Sequence, residues 1–253
     1  MRTDRRKPFH RIDGRKADQL RAVEIIRGYT SLAPGSVLIR TGQTHVLCTA
    51  CFENKVPEWL AGKGLGWVTA EYDMLPGATG ERRPRNRGKV DGRTQEIQRL
   101  IGRCMRAVVD RSMLGENCIW LDCDVLQADG GTRTAAVTGA YVALCDAVRW
   151  ALGQGLLARS PIRGAIAAVS VGIVEGRTLL DLCYTEDARA EADLNVAMTD
   201  AGGFVEVQGT GEAGTFSRPQ LDDMLELAAR GIRRLMTEQA VALARRIRRP
   251  RHA

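Results

Sequence analysis

Three short stretches of this 253-residue chain carry side chains whose types and spacing could do chemistry. Gln127-Ala128-Asp129-Gly130-Gly131-Thr132-Arg133-Thr134 sets a glycine pair between a β-rich run and the start of a helical one. Such a junction can aim backbone N–H groups and the positive end of a helix dipole at an anion, with the Thr132 hydroxyl and the Arg133 guanidinium as further donors. The GxxxxGK spacing of a nucleoside-triphosphate loop is missing, so an anion here need not be a triphosphate. Glu186, Asp187, Glu191 and Asp193 form an acidic stretch just past a β-rich run. Its Asp187 and Asp193 could converge on a divalent cation or act as a general acid. Glu81-Arg82-Arg83-Pro84-Arg85-Asn86-Arg87-Gly88-Lys89 has almost nothing apolar to anchor it and reads as a mobile basic loop, suited to a ribose-phosphate backbone or a partner subunit. Spacing alone also admits plainer readings: a glycine turn with a solvated arginine, a solvated acidic loop, and a merely soluble basic one.

The elements that must position these groups are legible from periodicity. Residues 37–40 and 45–52 are β-rich and joined by Thr41-Gly42-Gln43-Thr44, which reads as a hairpin. Over 94–114, Ile97, Leu100, Ile101, Cys104, Val108 and Val109 recur at helical spacing, which predicts one amphipathic helix with Arg99, Arg103 and Arg106 largely off its buried face. Arg93 precedes it and is held by a rigid element. A strand over 119–126 then leads through the glycine turn into a helix over 134–152. The second half offers strands at 165–174 and 178–182 around Glu175-Gly176, then a hairpin of 193–198 and 204–208 around Gly202-Gly203. A last helix, capped by Ser217 with Pro219 in its first turn, runs toward Arg245. Hairpins followed by helices, twice over, suggest an internally duplicated α+β architecture.

Composition sets the outer bounds. A net charge of +7, with arginines clustered at 82–93, 99–111 and 233–251, favours a polyanionic partner, while an aromatic content of 5% speaks against a base-stacking platform. No apolar run such as 165–174 is long enough to cross a bilayer, and residues 1–6 are polar with no apolar core behind them, so a protein without a membrane partner is expected in the cytoplasm. Seven cysteines, an odd number lying in apolar stretches, suit reduced thiols. Cys48 and Cys51 make a CxxC, but His10, His45 and His252 are the only histidines, so two core-facing thiols on a strand is a better reading than zinc.

Taken together these segments resemble the ribonuclease PH family over nearly the whole chain. The resemblance rests on Arg11-Ile12-Asp13-Gly14-Arg15, on GWVTAEYDMLP at 66–76, on DGRTQEIQRLIGR at 91–103, on DCDVLQADGGTRT at 122–134 and on VQGTGE at 207–212, all in family order. It implies an α+β fold, a duplicated βαβα-type domain of the ribosomal protein S5 domain 2-like class, assembled as a homohexameric ring, a trimer of dimers. It implies a phosphorolytic 3′-to-5′ exoribonuclease that trims transfer RNA precursors with inorganic phosphate as co-substrate. Family residues matching Arg93, Gly131, Thr132 and Arg133 bind phosphate, and a catalytic acidic pair associated with Mg2+ matches Asp187 and Asp193. Arg82, Arg83, Arg85 and Arg87 are then the candidates for contact with RNA. The expected organisation is an extension at 1–10, one domain at 11–245 made of halves at about 11–155 and 156–245, and a basic tail at 246–253. Two rivals are a non-catalytic RNA-binding ring subunit and a small-molecule phosphate enzyme; the first lacks a reason to keep both site halves, the second leaves the basic loop unexplained.

Overall fold

The computed structural model describes residues 11–85, 88 and 90–247. The first half is a five-stranded sheet of β1 (Val23–Arg27), β2 (Gly35–Thr41), β3 (Thr44–Glu53), β4 (Trp67–Met74) and β5 (Cys118–Gln127), in the order β1-β2-β3-β5-β4. Neighbours are antiparallel except β4 and β5. A parallel pair needs a long crossover, and here it is α1 (Gly92–Ala107) followed by the single turn α2 (Arg111–Leu114). The second half is an antiparallel sheet of β6 (Ile166–Val174), β7 (Arg177–Leu180), β8 (Ala192–Thr199) and β9 (Phe204–Thr210), in the order β7-β6-β8-β9. The short α4 (Tyr184–Asp187) interrupts it, and α5 (Arg218–Ala244) closes the fold against β6, β7, β8 and β1.

Between the halves runs α3 (Thr132–Gly153), which packs on β2, β3 and β5 on one side and on β6 and β8 on the other. A helix buried all round must be apolar all round, and α3 is apolar enough that length and composition alone would suit a membrane span. Its small residues let it approach the sheet closely. A Cβ on Gly139 would sit 2.7 Å from Ile39 Cγ2 and 2.8 Å from Cys48 Sγ.

Three expectations need correction. The helix expected over 94–114 is two, because Val108 and Val109 leave it to join the 161–163 segment: Val109 bridges Ile162, and Arg163 N–H donates to Val108 O. Asp110 then caps α2, accepting from Ser112 N and Met113 N. Cys48 and Cys51 do not both face the core. Three residues apart on a strand, they lie on opposite faces, and only Cys48 is fully buried. Strands β1 and β4 are additions to the sequence reading; β1 is only partly buried and two of its five residues are charged, whereas β4 alternates cleanly at Val68, Ala70 and Tyr72.

Candidate active site

Four elements bring the predicted groups to one cleft of about 570 Å³, lined among others by Arg83, Arg93, Gly130, Gly131, Thr132, Arg133, Asp187, Asp193 and Glu212. The six residues expected to hold phosphate or the reacting group therefore converge, though Arg93 and Asp193 are 100 positions apart. Arg93 reaches the cleft from the first turn of α1, whose end is fixed by Asp91 accepting from Thr94 N at 2.8 Å. Arg133 reaches it from the first turn of α3. Asp187 ends α4, and Asp193 sits on β8.

The anion side is built by two glycines in the left-handed region, Gly130 at φ 72° and Gly131 at φ 63°. Only glycine enters that region without cost, and at Gly130 a Cβ would also strike backbone, 2.7 Å from Leu182 O and 2.8 Å from Tyr184 N. Gly131 is the N-cap of α3, so no side chain of its own occupies the first N–H groups of the helix. Gly131, Thr132 and Arg133 at this positive end of the helix line the cleft, with Arg93 also on its wall. Arg133 is held in place by hydrogen bonds from Nη1 to Gln208 Oε1 and to Glu96 Oε2, the latter at 3.3 Å.

The acidic side rests on strand alternation. Asp193 and Asn195 share the outer face of β8, while Leu194 and Val196 point into the core under α5. On β9 their partners Thr210 and Gln208 line the same cleft. Burial pushes the Asp187 carboxyl up, against the opposing pull of Arg93 and Arg133, with Glu212 adding to the rise. Burial also raises Asp193, followed by repulsion from Asp187 and Glu212, with Arg133 opposing. Each carboxyl thus feels the same small set of charges, which is the electrostatic signature of a shared site. No group of three or more His, Cys, Asp or Glu side chains fit to hold a metal occurs among the described residues. Two carboxylates in a cleft also lined by Arg93 and Arg133 are a donor set that suits Mg2+, which binds through one or two carboxylates and fills its shell with water and phosphate oxygens.

The rest of the acidic stretch does other work. Glu186 is buried and bonded to Arg11 through two contacts of 2.7 and 2.6 Å, and it accepts from Cys183 N at 3.1 Å. Glu191 accepts from Gly176 N. In the basic loop Arg83 lines the cleft, with its N–H on Pro76 O, while Arg82 and Arg85 are exposed and Arg87 lies outside the described residues. The residues missed from sequence are Ser170, Asn195 and Gln208 on the cleft wall and Tyr72 behind it. The polar and apolar alternation of Asp193-Leu194-Asn195-Val196 was the available signal for Asn195.

Comparison with known proteins places this geometry. Residues 19–149 match the model for the 3′ exoribonuclease family, domain 1, and residues 164–231 match that for domain 2. The chain is similar to proteins named ribonuclease PH from Corynebacterium glutamicum (strain R), 58% identical over 93% of this chain and 97% of that one, and from Corynebacterium efficiens, 57% identical with the same coverage. Among solved structures it superposes on a chain of the Archaeoglobus fulgidus exosome with RNA bound to the active site, with TM-score 0.78 and 24% identity over 90% of this chain and 92% of that one. An archaeal exosome core chain gives TM-score 0.73 and 23% identity over 91% of each chain. These two show a common fold; the two matched domains and the curated relatives show that this chain belongs to the 3′ exoribonuclease family.

Proposed function

We propose that this chain is a phosphorolytic 3′-to-5′ exoribonuclease that trims transfer RNA precursors, and that its cleft is where inorganic phosphate meets the RNA 3′ end. The observation that carries the reading is the pairing, in one cleft, of Arg93, Arg133 and the open start of α3 with Asp187 and Asp193. Phosphorolysis brings an anion up to a phosphodiester that is already negative, so charge must be neutralised before the two can meet. Arg93, Thr132, Arg133 and the N–H groups around Gly131 hold the attacking phosphate and fix its approach, converting an encounter of two anions into a reaction within one complex. One phosphate oxygen bonds to the phosphorus of the last linkage, and the bond from that phosphorus to the penultimate 3′ oxygen breaks. The 3′ oxygen takes up a proton, supplied by the incoming hydrogen phosphate or by water. The products are RNA shorter by one residue and a nucleoside diphosphate. Because the new P–O–P link is a phosphoanhydride, the reaction also runs backward as nucleotide addition.

Asp187 and Asp193 are the residues that would hold Mg2+, which when bound offsets charge on the scissile group and on the leaving oxygen. The same reading makes Arg82, Arg83, Arg85 and Arg87 contacts to RNA, the assembly a homohexamer built as a trimer of dimers, the compartment the cytoplasm, and ribosomal RNA a further substrate for processing. It keeps one domain over 11–245 with halves meeting near 155. The deciding experiment incubates a transfer RNA precursor with and without inorganic phosphate. Nucleoside diphosphate released only with phosphate supports phosphorolysis; nucleoside monophosphate, or release without phosphate, overturns it.

A further inference from the structure

We infer that Arg21 is a positioning residue that sets the direction of the phosphate-binding N–H groups from behind the loop. The inference rests on the phosphorolysis reading for its catalytic meaning and on geometry for its substance. Arg21 is buried against the glycine loop and is not among the residues that line the cleft. Its Nη1 donates to Asp129 O at 2.5 Å and, more loosely, to Gly130 O at 3.4 Å, a carbonyl that also accepts from Thr44 Oγ1 at 2.7 Å. In a trans peptide the carbonyl of one residue and the N–H of the next lie in one plane and point in opposite directions. Holding the carbonyls of Asp129 and Gly130 on the Arg21 side therefore turns the N–H groups of Gly130 and Gly131 the other way, toward the cleft both glycines line. A glycine pair has no side chain to lock its own peptide planes, so the lock must come from outside.

The clamp is itself fixed. Asp181 takes Arg21 Nε at 3.1 Å, Nη2 at 2.6 Å and the Arg21 backbone N–H at 2.8 Å. Asp181 sits at φ 55°, a conformation unusual for a non-glycine residue, and its own N–H donates to Ser170 O. Arg15 lies 3.8 Å from Asp181 and 3.5 Å from Glu186, the residue before Asp187. Tyr184 N, at the start of α4, donates to Asp129 Oδ1 at 3.1 Å. A chain of contacts, buried at Arg21 and Asp181, thus joins the glycine loop of the first half to the acidic helix of the second, and Arg21 is one of its links to the loop.

The test is Arg21→Lys, which keeps the charge but replaces a fork with a single point donor that cannot hold Asp181 and two carbonyls together. Groups that orient metal ligands are worth roughly 10- to 100-fold in metal affinity, and a comparable scale is expected for a group that orients anion donors. The expected result is a rise of that size in the KM for inorganic phosphate, matched by weaker phosphate binding in calorimetry, with the KM for a short RNA little changed. A folded variant that binds phosphate as tightly as wild type, even one that melts earlier, overturns the inference and leaves Arg21 a purely stabilising residue. Should Arg21→Lys not fold, Thr44→Val decides. It removes the hydroxyl that donates to Gly130 O and accepts from Asp129 N, and leaves the ion pair of Arg21 with Asp181 in place, so phosphate affinity should fall; unchanged affinity overturns the inference. If the wild-type protein releases no nucleoside diphosphate, the phosphorolysis reading fails separately, and calorimetry with inorganic phosphate still judges the clamp.

Discussion

Tyr72 Oη donates to Thr132 Oγ1 across 2.9 Å, from β4 to the first residue of α3. Tyr72 is buried, and burial raises its pKa, so the phenol stays protonated and keeps its role as donor. A threonine hydroxyl that accepts on one side has its own hydrogen free for the other, and Thr132 lines the cleft. Tyr72→Phe should therefore free the Thr132 hydroxyl to rotate, raising the KM for phosphate several-fold while kcat at saturating phosphate stays near wild type. The loss of stability should be about 1–2 kcal/mol, since Thr132 keeps access to the cleft and its water. Steady-state kinetics with phosphate as the varied substrate checks this, and an unchanged phosphate KM would show that Thr132 needs no such orientation.

Asp193→Asn should abolish turnover while leaving RNA binding nearly intact, and it should not destabilise the protein. A carboxyl whose pKa is raised by folding binds its proton more tightly folded than unfolded. Its contribution favours the fold at acid pH and is lost as pH rises through the folded value. Asp193 is of this kind, raised by burial and then by Asp187 and Glu212, so at neutral pH its charge opposes folding. The variant should melt at or above the wild-type temperature at pH 7, the difference shrinking toward about pH 4. A clear drop in melting temperature at pH 7, or near-normal activity, would remove Asp193 from its assigned role.

Glu186→Gln should behave in the opposite way, although Glu186 belongs to the same acidic stretch. Burial pushes this carboxyl up, but hydrogen bonds from Arg11 and the Cys183 N–H outweigh it and hold it below the usual range. A lowered pKa contributes stability that is present above the unfolded value and lost as pH falls through the folded one. Removing this charge leaves the Arg11 guanidinium buried with a partner missing, a loss of about 3–5 kcal/mol. Thermal unfolding of Glu186→Gln beside Asp193→Asn at pH 7 checks the contrast, and equal melting temperatures would refute it.

That contrast marks how far the sequence could be read. Periodicity found β3 and the last helix because each buries one regular set of apolar residues, whereas β2 and α3, buried at nearly every position, show only as apolar runs. It could not divide 94–114, because Val108 and Val109 suit the buried face of a helix as well as the strand-like bridge they form with Ile162. Motif resemblance named Arg93, Arg133, Asp187 and Asp193, and the fold gathers them. It could not separate Glu186 from Asp187, since adjacent carboxylates differ only in what lies opposite, here Arg11 for one and the open cleft for the other. Arg21 escaped notice for the same reason: its partner Asp181 is 160 residues away, and no local pattern announces a pairing of that span.

The basic loop divides into two roles that a single substitution series can separate. Arg83 is half-buried, tied by its N–H to Pro76 O, and lines the cleft, so on the proposed reading its effect is expected at the reacting end of the substrate. Arg82 and Arg85 are exposed beyond it, and with Arg87 they are suited to RNA away from the chemistry. A folded transfer RNA is far larger than a cleft of about 570 Å³, so much of its affinity must arise outside that cleft. Contacts of this kind act through counterion release, each neutralised phosphate adding roughly 0.7 to 0.9 to the slope of log affinity against log salt. Replacing Arg82, Arg85 and Arg87 together with alanine should flatten that slope by about two to three units. It should also raise the KM for precursor, while kcat on a short single-stranded oligonucleotide changes little. Arg83→Ala alone should reduce kcat/KM on the oligonucleotide as well. Light scattering on the triple variant separates RNA contact from subunit contact: retained assembly with a flatter salt slope places these arginines on RNA, and retained assembly with the wild-type slope at every salt concentration shows a loop that only meets solvent.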